Sequence, residues 1–255
     1  MEHRLFIGDF YFAFKKYDDT EIMSFKEYET KTNHTDYFAT VDKKDIEYED
    51  KITNYEYNEW RLYYTAIQRN IVGWLPLNDA LTLHSVIVDV MGTGVAFAAK
   101  SGTGKSTHMD LWQKLLGDKM TVVNGDKPIV RFFDKETAAK VDENPEKNHT
   151  EPTLPDIPYA YGTPWMGKEN LGCNMRTPLK HICFIERSET NSVEKMAASD
   201  AVNLIFNQVY IPKDPMAAMK TMELVNKLLN KCEIWKIKCN MDPAAAEVAY
   251  NAIFG

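Results

Sequence analysis

From Met1 to about Asn58 the chain alternates apolar and polar residues at period two. "RLFIGDFYFAF", "YFATV" and "KITNYEY" predict strands, with the charged, turn-prone pieces "KKYDDTE" and "DKKD" between them. The period then changes. In "NEWRLYYTAIQRNIVGW", Trp60, Tyr63, Tyr64, Ile67 and Ile71 recur at three and four, which marks one buried face of a helix that ends at Pro76. A boundary falls here, giving a β-rich part over 1–76, closed by a helix, and a second unit over 77–255.

The second unit opens with "ALTLHSVIVDV", a β-branched run that predicts one strand buried on both faces. Glycines in "MGTG" supply a tight turn, and "VAFAA" is a short strand running into a glycine-rich loop. After Lys105, the spacing of Met109, Trp112 and Leu116 predicts a helix, with Gly117 at its C-terminus. "MTVVNGD" reads as strand and loop, and "KPIVRFF" as a strand. Residues 134–158 are polar and carry four prolines, so they predict a mobile excursion without regular elements. "LKHICFIER" reads as a buried strand, followed by helices near Ser199–Tyr210 and Pro215–Lys231. The tail reads as strand "EIWKIKC", then helix "DPAAAEVAYNAIF" with Asp242 as N-cap and Pro243 at its first position. Strands and helices alternating in this way define an α/β class.

Composition narrows the function. The 255 residues carry 37 acidic and 30 basic side chains, a net charge of −7. That balance argues against nucleic acid or an anionic membrane as partner, since both need a basic field. No apolar run reaches the roughly 20 residues that span a bilayer, and "MEHRLFIGDFYF" lacks the features of a signal peptide. Cys173, Cys183, Cys232 and Cys239 show no metal-like spacing. Reduced thiols in the cytoplasm are the expectation.

The chemistry concentrates in Ser101-Gly102-Thr103-Gly104-Lys105-Ser106-Thr107. Glycines let backbone N–H groups converge on an anion at a helix N-terminus. Lys105 has the reach for β- and γ-phosphates, and the Ser106 hydroxyl suits Mg²⁺. Ala99 stands where the full pattern has its first glycine. A strand before and a helix after the loop favour nucleotide binding over a structural glycine turn.

"HSVIVDVMGTGVAFAAKSGTGKST" resembles the corresponding stretch of HPr kinase/phosphorylases, in a superfamily that includes the phosphoenolpyruvate carboxykinases. It is most similar to a bacterial subgroup with "SGTGKSTH", "DKP", "YGTPW" and a late "ER", here Ser101–His108, Asp126–Pro128, Tyr161–Trp165 and Glu186-Arg187. The resemblance runs from about Asp79 to the C-terminus and is absent before it. It implies a P-loop kinase fold, a mixed sheet flanked by helices. It also implies ATP and Mg²⁺ as cofactors, a homo-oligomer, and transfer to a hydroxyl, a serine of a protein or peptide first and a small metabolite second. GTP or pyrophosphate as donor stays open.

Asp126 follows the strand "TVVNGD", where the resemblance implies a metal ligand, while Gly125 stands where it implies a second aspartate that handles the acceptor proton. His84 as base, Asp126 in both roles, or an acid from 134–158 are the substitutes. Lys168, in "GTPWMGK", is expected at a lip over the transferred group. The expected site is therefore Lys105, Asp126, His84 and Lys168 for catalysis, residues 101–107 for nucleotide, and Ser106 with Asp126 for metal. Arg176 and Arg187 are read as surface charges before anion ligands, His108 as a nucleotide contact or an exposed ring, and the methionines of "DPMAAMKTMELV" as helix packing. The competing function is a nucleotide-binding regulatory module in which Gly125 marks a lost base; carboxykinase activity lacks assignable arginines.

Overall fold

The computed structural model describes residues 1–100 and 102–255. Strands β1 (Glu2–Ile7) and β2 (Phe10–Lys15) form a hairpin, and β3 (Tyr37–Ala39) adds in parallel to β2. The third predicted strand, "KITNYEY", is instead the end of helix α1 (Lys43–Ile52) and the turn after it. Asp42 starts that helix through a reciprocal cap with Asp45, and this local bonding overrides the alternating pattern. Helix α2 (Glu59–Trp74) follows as the spacing predicts, capped by Asn58.

The run "ALTLHSVIVDV" is two strands rather than one. Strand β4 (Ala80–Thr82) pairs β8 (Ile129–Arg131), while β5 (Val86–Val90) pairs β6 (Thr93–Ala98) and β7 (Met120–Asn124). Between them Leu83, His84 and Ser85 donate N–H bonds to the carbonyls of Pro128, Gln208 and Asp126. Helix α3 (Lys105–Leu116) lies between β6 and β7, and α4 (Lys135–Glu143) occupies the segment expected to lack elements, capped by Asp134 and Thr137.

Strand β10 (Arg176–Arg187) organises the sheet. Its first residues pair β9 (Tyr159–Tyr161), and its later ones lie parallel to β6 on one side and β12 (Glu233–Cys239) on the other. Strand β11 (Ser192–Lys195) closes against β12. The sheet is mixed, in the order β4-β8-β9-β10-β6-β5-β7 with β12 joined to β10.

Alternation along its strands feeds two cores. Val95 and Phe97 of β6 and Cys183 and Ile185 of β10 face α3 and α7 (Ala244–Phe254); Ala96, Ala98, Ile182 and Phe184 face α5 (Ala198–Phe206) and α6 (Pro215–Lys231). Helix α7 begins one residue later than expected, with Pro243 as its N-cap residue. A third core joins the first 76 residues to the rest: Leu5, Phe12, Tyr64 and Ile67 pack with Ile129, Phe133, Tyr159 and Tyr161. Buried Arg131 stitches the same junction, donating to the Gly8 and Asp9 carbonyls at 2.8 and 3.0 Å with its guanidinium over the Phe10 ring. No helix among the described residues is long and apolar enough to cross a membrane.

Candidate functional site

The glycine loop connects β6 to α3. Gly102 (φ 77°) and Gly104 (φ 122°) hold backbone conformations that L-residues rarely adopt, which is why glycine stands at both. Ala99 is buried against the α3 side of the sheet and needs no such φ, so the absent first glycine costs nothing here. Helix α3 starts without a side-chain cap, whereas α1, α2, α4 and α6 are capped by Asp42, Asn58, Asp134 and Asp214. Its first N–H groups are thereby left to an external acceptor. Ser101 lies outside the described residues.

Lys105, the first residue of α3, donates from Nζ to the Ala99 carbonyl at 2.9 Å. Burial pushes its pKa below the ordinary lysine value; Asp126 opposes that shift, Lys127 adds to it and Glu169 opposes it. Ser106 donates from Oγ to Glu169 Oε1 at 3.1 Å, and Thr107 is exposed. Arg187, at the end of β10, is not a free surface charge. It donates to the Thr103 carbonyl at 2.9 Å and to the Gly102 carbonyl, bracing the loop from outside.

Asp126 sits in the turn after β7. Asn124 Oδ1 accepts from the Asp126 and Lys127 N–H groups at 2.9 and 2.8 Å, and its Nδ2 donates to Thr163, locking this turn to "GTPW". Both His84 Nε2 (3.2 Å) and Lys127 Nζ (2.8 Å) reach Asp126 Oδ1. Burial works to raise the Asp126 pKa, but the His84 hydrogen bond and the Lys127 charge outweigh it and hold the carboxyl down to about 2. The break between β4 and β5 is what sets His84 there, since its own N–H is tied to Gln208.

Gly125 has a packing reason. A Cβ at this position would stand 2.9 Å from the Met166 carbonyl oxygen and 3.1 Å from that of Leu171. A second aspartate cannot stand here without moving backbone, so its absence follows from the fold of the 162–173 segment. That segment, rather than 134–158, supplies the additional acid, Glu169. Its neighbour Lys168 is exposed, with its ammonium 5.3 Å from the Tyr55 ring centroid.

Two further expectations are corrected. Arg176 is buried and bonded to Thr153, Glu151 and Tyr161, a structural cation. His108 is 2% exposed, and its Nε2 accepts from Trp112 Nε1 at 3.1 Å, so it faces the core and not a nucleotide. The methionines of α6 are the reverse case: Met216, Met219 and Met222 are exposed.

Among the described residues no three His, Cys, Asp or Glu side chains gather closely enough to hold a metal by themselves. The oxygens of Ser106, Glu169 and Asp126 suit a hard cation that takes its other ligands from water and phosphate.

No family of known proteins matches the sequence, and no curated protein matches it. Among solved structures the chain is similar to the Hpr(Ser) kinase/phosphatase from Coxiella burnetii, at 8% identity and a TM-score of 0.32, over 68% of this chain and 95% of that one. A likeness so distant shows neither family nor activity.

Proposed function

We propose that the chain is an ATP-dependent, Mg²⁺-requiring phosphotransferase that moves the γ-phosphoryl group to a hydroxyl. One observation carries this reading: a half-buried ammonium, a hydroxyl and two carboxylates surround a glycine-shaped, uncapped helix N-terminus. The uncapped N–H groups of α3 and the loop amides bind the β- and γ-phosphates, and Lys105 exchanges the Ala99 carbonyl for a phosphate oxygen. Ser106 and Asp126, with Glu169 beside them, would hold Mg²⁺, and the ion when bound would neutralise charge on the phosphates. Lys168 reaches the transferred group from the lip.

In the transfer, the acceptor oxygen forms a bond to the γ-phosphorus. The bond from that phosphorus to the β–γ bridging oxygen breaks, and its electron pair leaves with the nucleoside diphosphate. A carboxylate held at about 2 is a weak proton acceptor. His84 therefore takes the hydroxyl proton at Nδ1, while Asp126 accepts from Nε2–H and fixes the ring. The resemblance implies a seryl acceptor in a protein or peptide; a small hydroxylated metabolite is the other class.

Thermal unfolding with and without MgATP tests the nucleotide step. The wild type is expected to gain stability and Lys105→Ala to lose that gain, along with about 10²–10⁴ in transfer rate. Labelled ATP and a cell extract then test transfer. A stability gain with no labelled product leaves a regulatory nucleotide-binding protein, and no gain at all removes the reading.

A further inference from the structure

A cavity of about 320 Å³ opens at the ends of three parallel strands, β6, β10 and β12. Strand β6 runs into the phosphate loop, β10 ends at Arg187 and β12 at Cys239, and Arg187 and Cys239 are cross-strand partners. Thr103, Gly104 and Thr107 line the cavity from the loop and the first turn of α3; Arg187, Ser188 and Met241 line it from beyond the other two strands. Crevices outside the carboxyl ends of parallel strands are where α/β sheets take their ligands.

Direction across the loop says what enters. Strand β6 lies between β5 and β10. His84, just before β5, and Asp126, just after β7, belong to the β5 side, and with Ser106 and Glu169 they mark the metal and γ-phosphate end of a bound triphosphate. The α-phosphate then points toward β10 and β12, so whatever it carries arrives at this cavity. Its volume equals about eleven waters at liquid density, the size of one purine, with the ribose left at the mouth. The walls offer such a ring apolar surface. Ile185 is buried beneath, and Met241, 78% exposed, brings an adaptable thioether suited to an aromatic face. The longer polar side chains are already engaged. Arg187 is on the Gly102 and Thr103 carbonyls; Asn240 accepts from the Asp242 N–H at 3.0 Å and donates to the Glu189 carbonyl at 2.9 Å. Neither is left to read the edge of a base, and an apolar slot discriminates weakly between rings of similar shape.

We propose that this cavity seats the purine of the donor nucleotide and holds it by shape and apolar contact, so that GTP serves as well as ATP and pyrimidine nucleotides are held less well. Arg187 then has two tasks, bracing the loop and walling the base site. The assignment rests on the nucleotide reading above and adds where and how the nucleoside is held.

Isothermal titration calorimetry on the full chain tests it, with Mg²⁺ and ATP, GTP, CTP or inorganic tripolyphosphate. ATP and GTP are expected to bind within about tenfold of each other, each more than about tenfold tighter than tripolyphosphate, which has no base, and CTP to fall between. Met241→Ser removes apolar contact and Ser188→Leu narrows the space. Each is expected to weaken ATP and GTP about three- to tenfold, with tripolyphosphate binding and the ligand-free melting temperature held. ATP within about tenfold of tripolyphosphate, CTP as tight as ATP, ATP and GTP more than about tenfold apart, or nucleotide affinities indifferent to both variants overturns the assignment. Where tripolyphosphate binds and Lys105→Ala abolishes that binding, such a result sinks this inference alone. A wild type that binds neither tripolyphosphate nor any nucleotide sinks the nucleotide reading and this site with it.

Discussion

At Gly125 a missing side chain carries as much information as a present one. The resemblance sets this glycine in place of an aspartate, and the competing reading takes it as a lost base, because neighbours in the chain cannot reveal that two carbonyls from residues 166 and 171 close over it. Gly125→Ala is expected to cost about 1–3 kcal/mol through the forced backbone shift, read as a fall in melting temperature, and Gly125→Asp to lower the melting temperature further with no gain in transfer rate. The placing of Lys105 and Ser106 at the start of a helix behind a glycine loop was legible because it depends on a contiguous motif. The contacts of Glu169, Lys127 and Arg187 were not, since which of several adjacent charges meets Ser106, Asp126 or the loop carbonyls depends on how distant segments fold back. His108 was misplaced for the same reason: helical spacing puts it beside Trp112, but only the packed core shows that face to be the inner one. Burial lowers its pKa to about 4. The unfolded ring titrates near 6.5, so its contribution is complete above that pH and drains away as pH falls toward 4. Melting curves between pH 7 and 5 are expected to show a loss of about 2 kcal/mol from this group by pH 5, shallower in His108→Gln.

Elements with strong periodicity, α2, α3 and α6, emerged from the sequence close to their observed bounds. Those that failed were decided by bonds rather than by apolar spacing. Helix α4 buries only Ala138 and Val141 among charged neighbours, so the prolines beyond it dominated the pattern, while the Asp134–Thr137 cap holds it. Helix α1 is parallel: its capping box outweighs an alternating tail. Asp42→Ala is expected to cost about 1 kcal/mol and to speed amide exchange over residues 43–52, with the Glu49–Arg69 pair between α1 and α2 loosening in turn. The β4–β5 break was invisible because all three intervening residues suit a strand; their partners lie 40 to 125 positions away.

For the whole molecule, the alternation of strands and helices was enough to read an α/β class, and the change of period at residue 58 suggested a boundary near 76. Apolar spacing says which residues are buried but not against what, and so it hid a core common to both sides of that boundary. Residues 77–255 alone would expose Ile129, Phe133, Tyr159 and Tyr161 and strand Arg131 without the Gly8 and Asp9 carbonyls. Expressed separately, that fragment is expected to lack cooperative unfolding by calorimetry, and the full chain to show a single sharp transition. The core shared across that boundary has an engineering corollary. Helix α2 brings Tyr64, Ile67 and Ile71 from the front of the chain against Phe133, Tyr159 and Tyr161 from the middle, so exchanging either piece alone leaves a misfitted seam. Chimeras within this fold therefore have to carry both sides of the seam together.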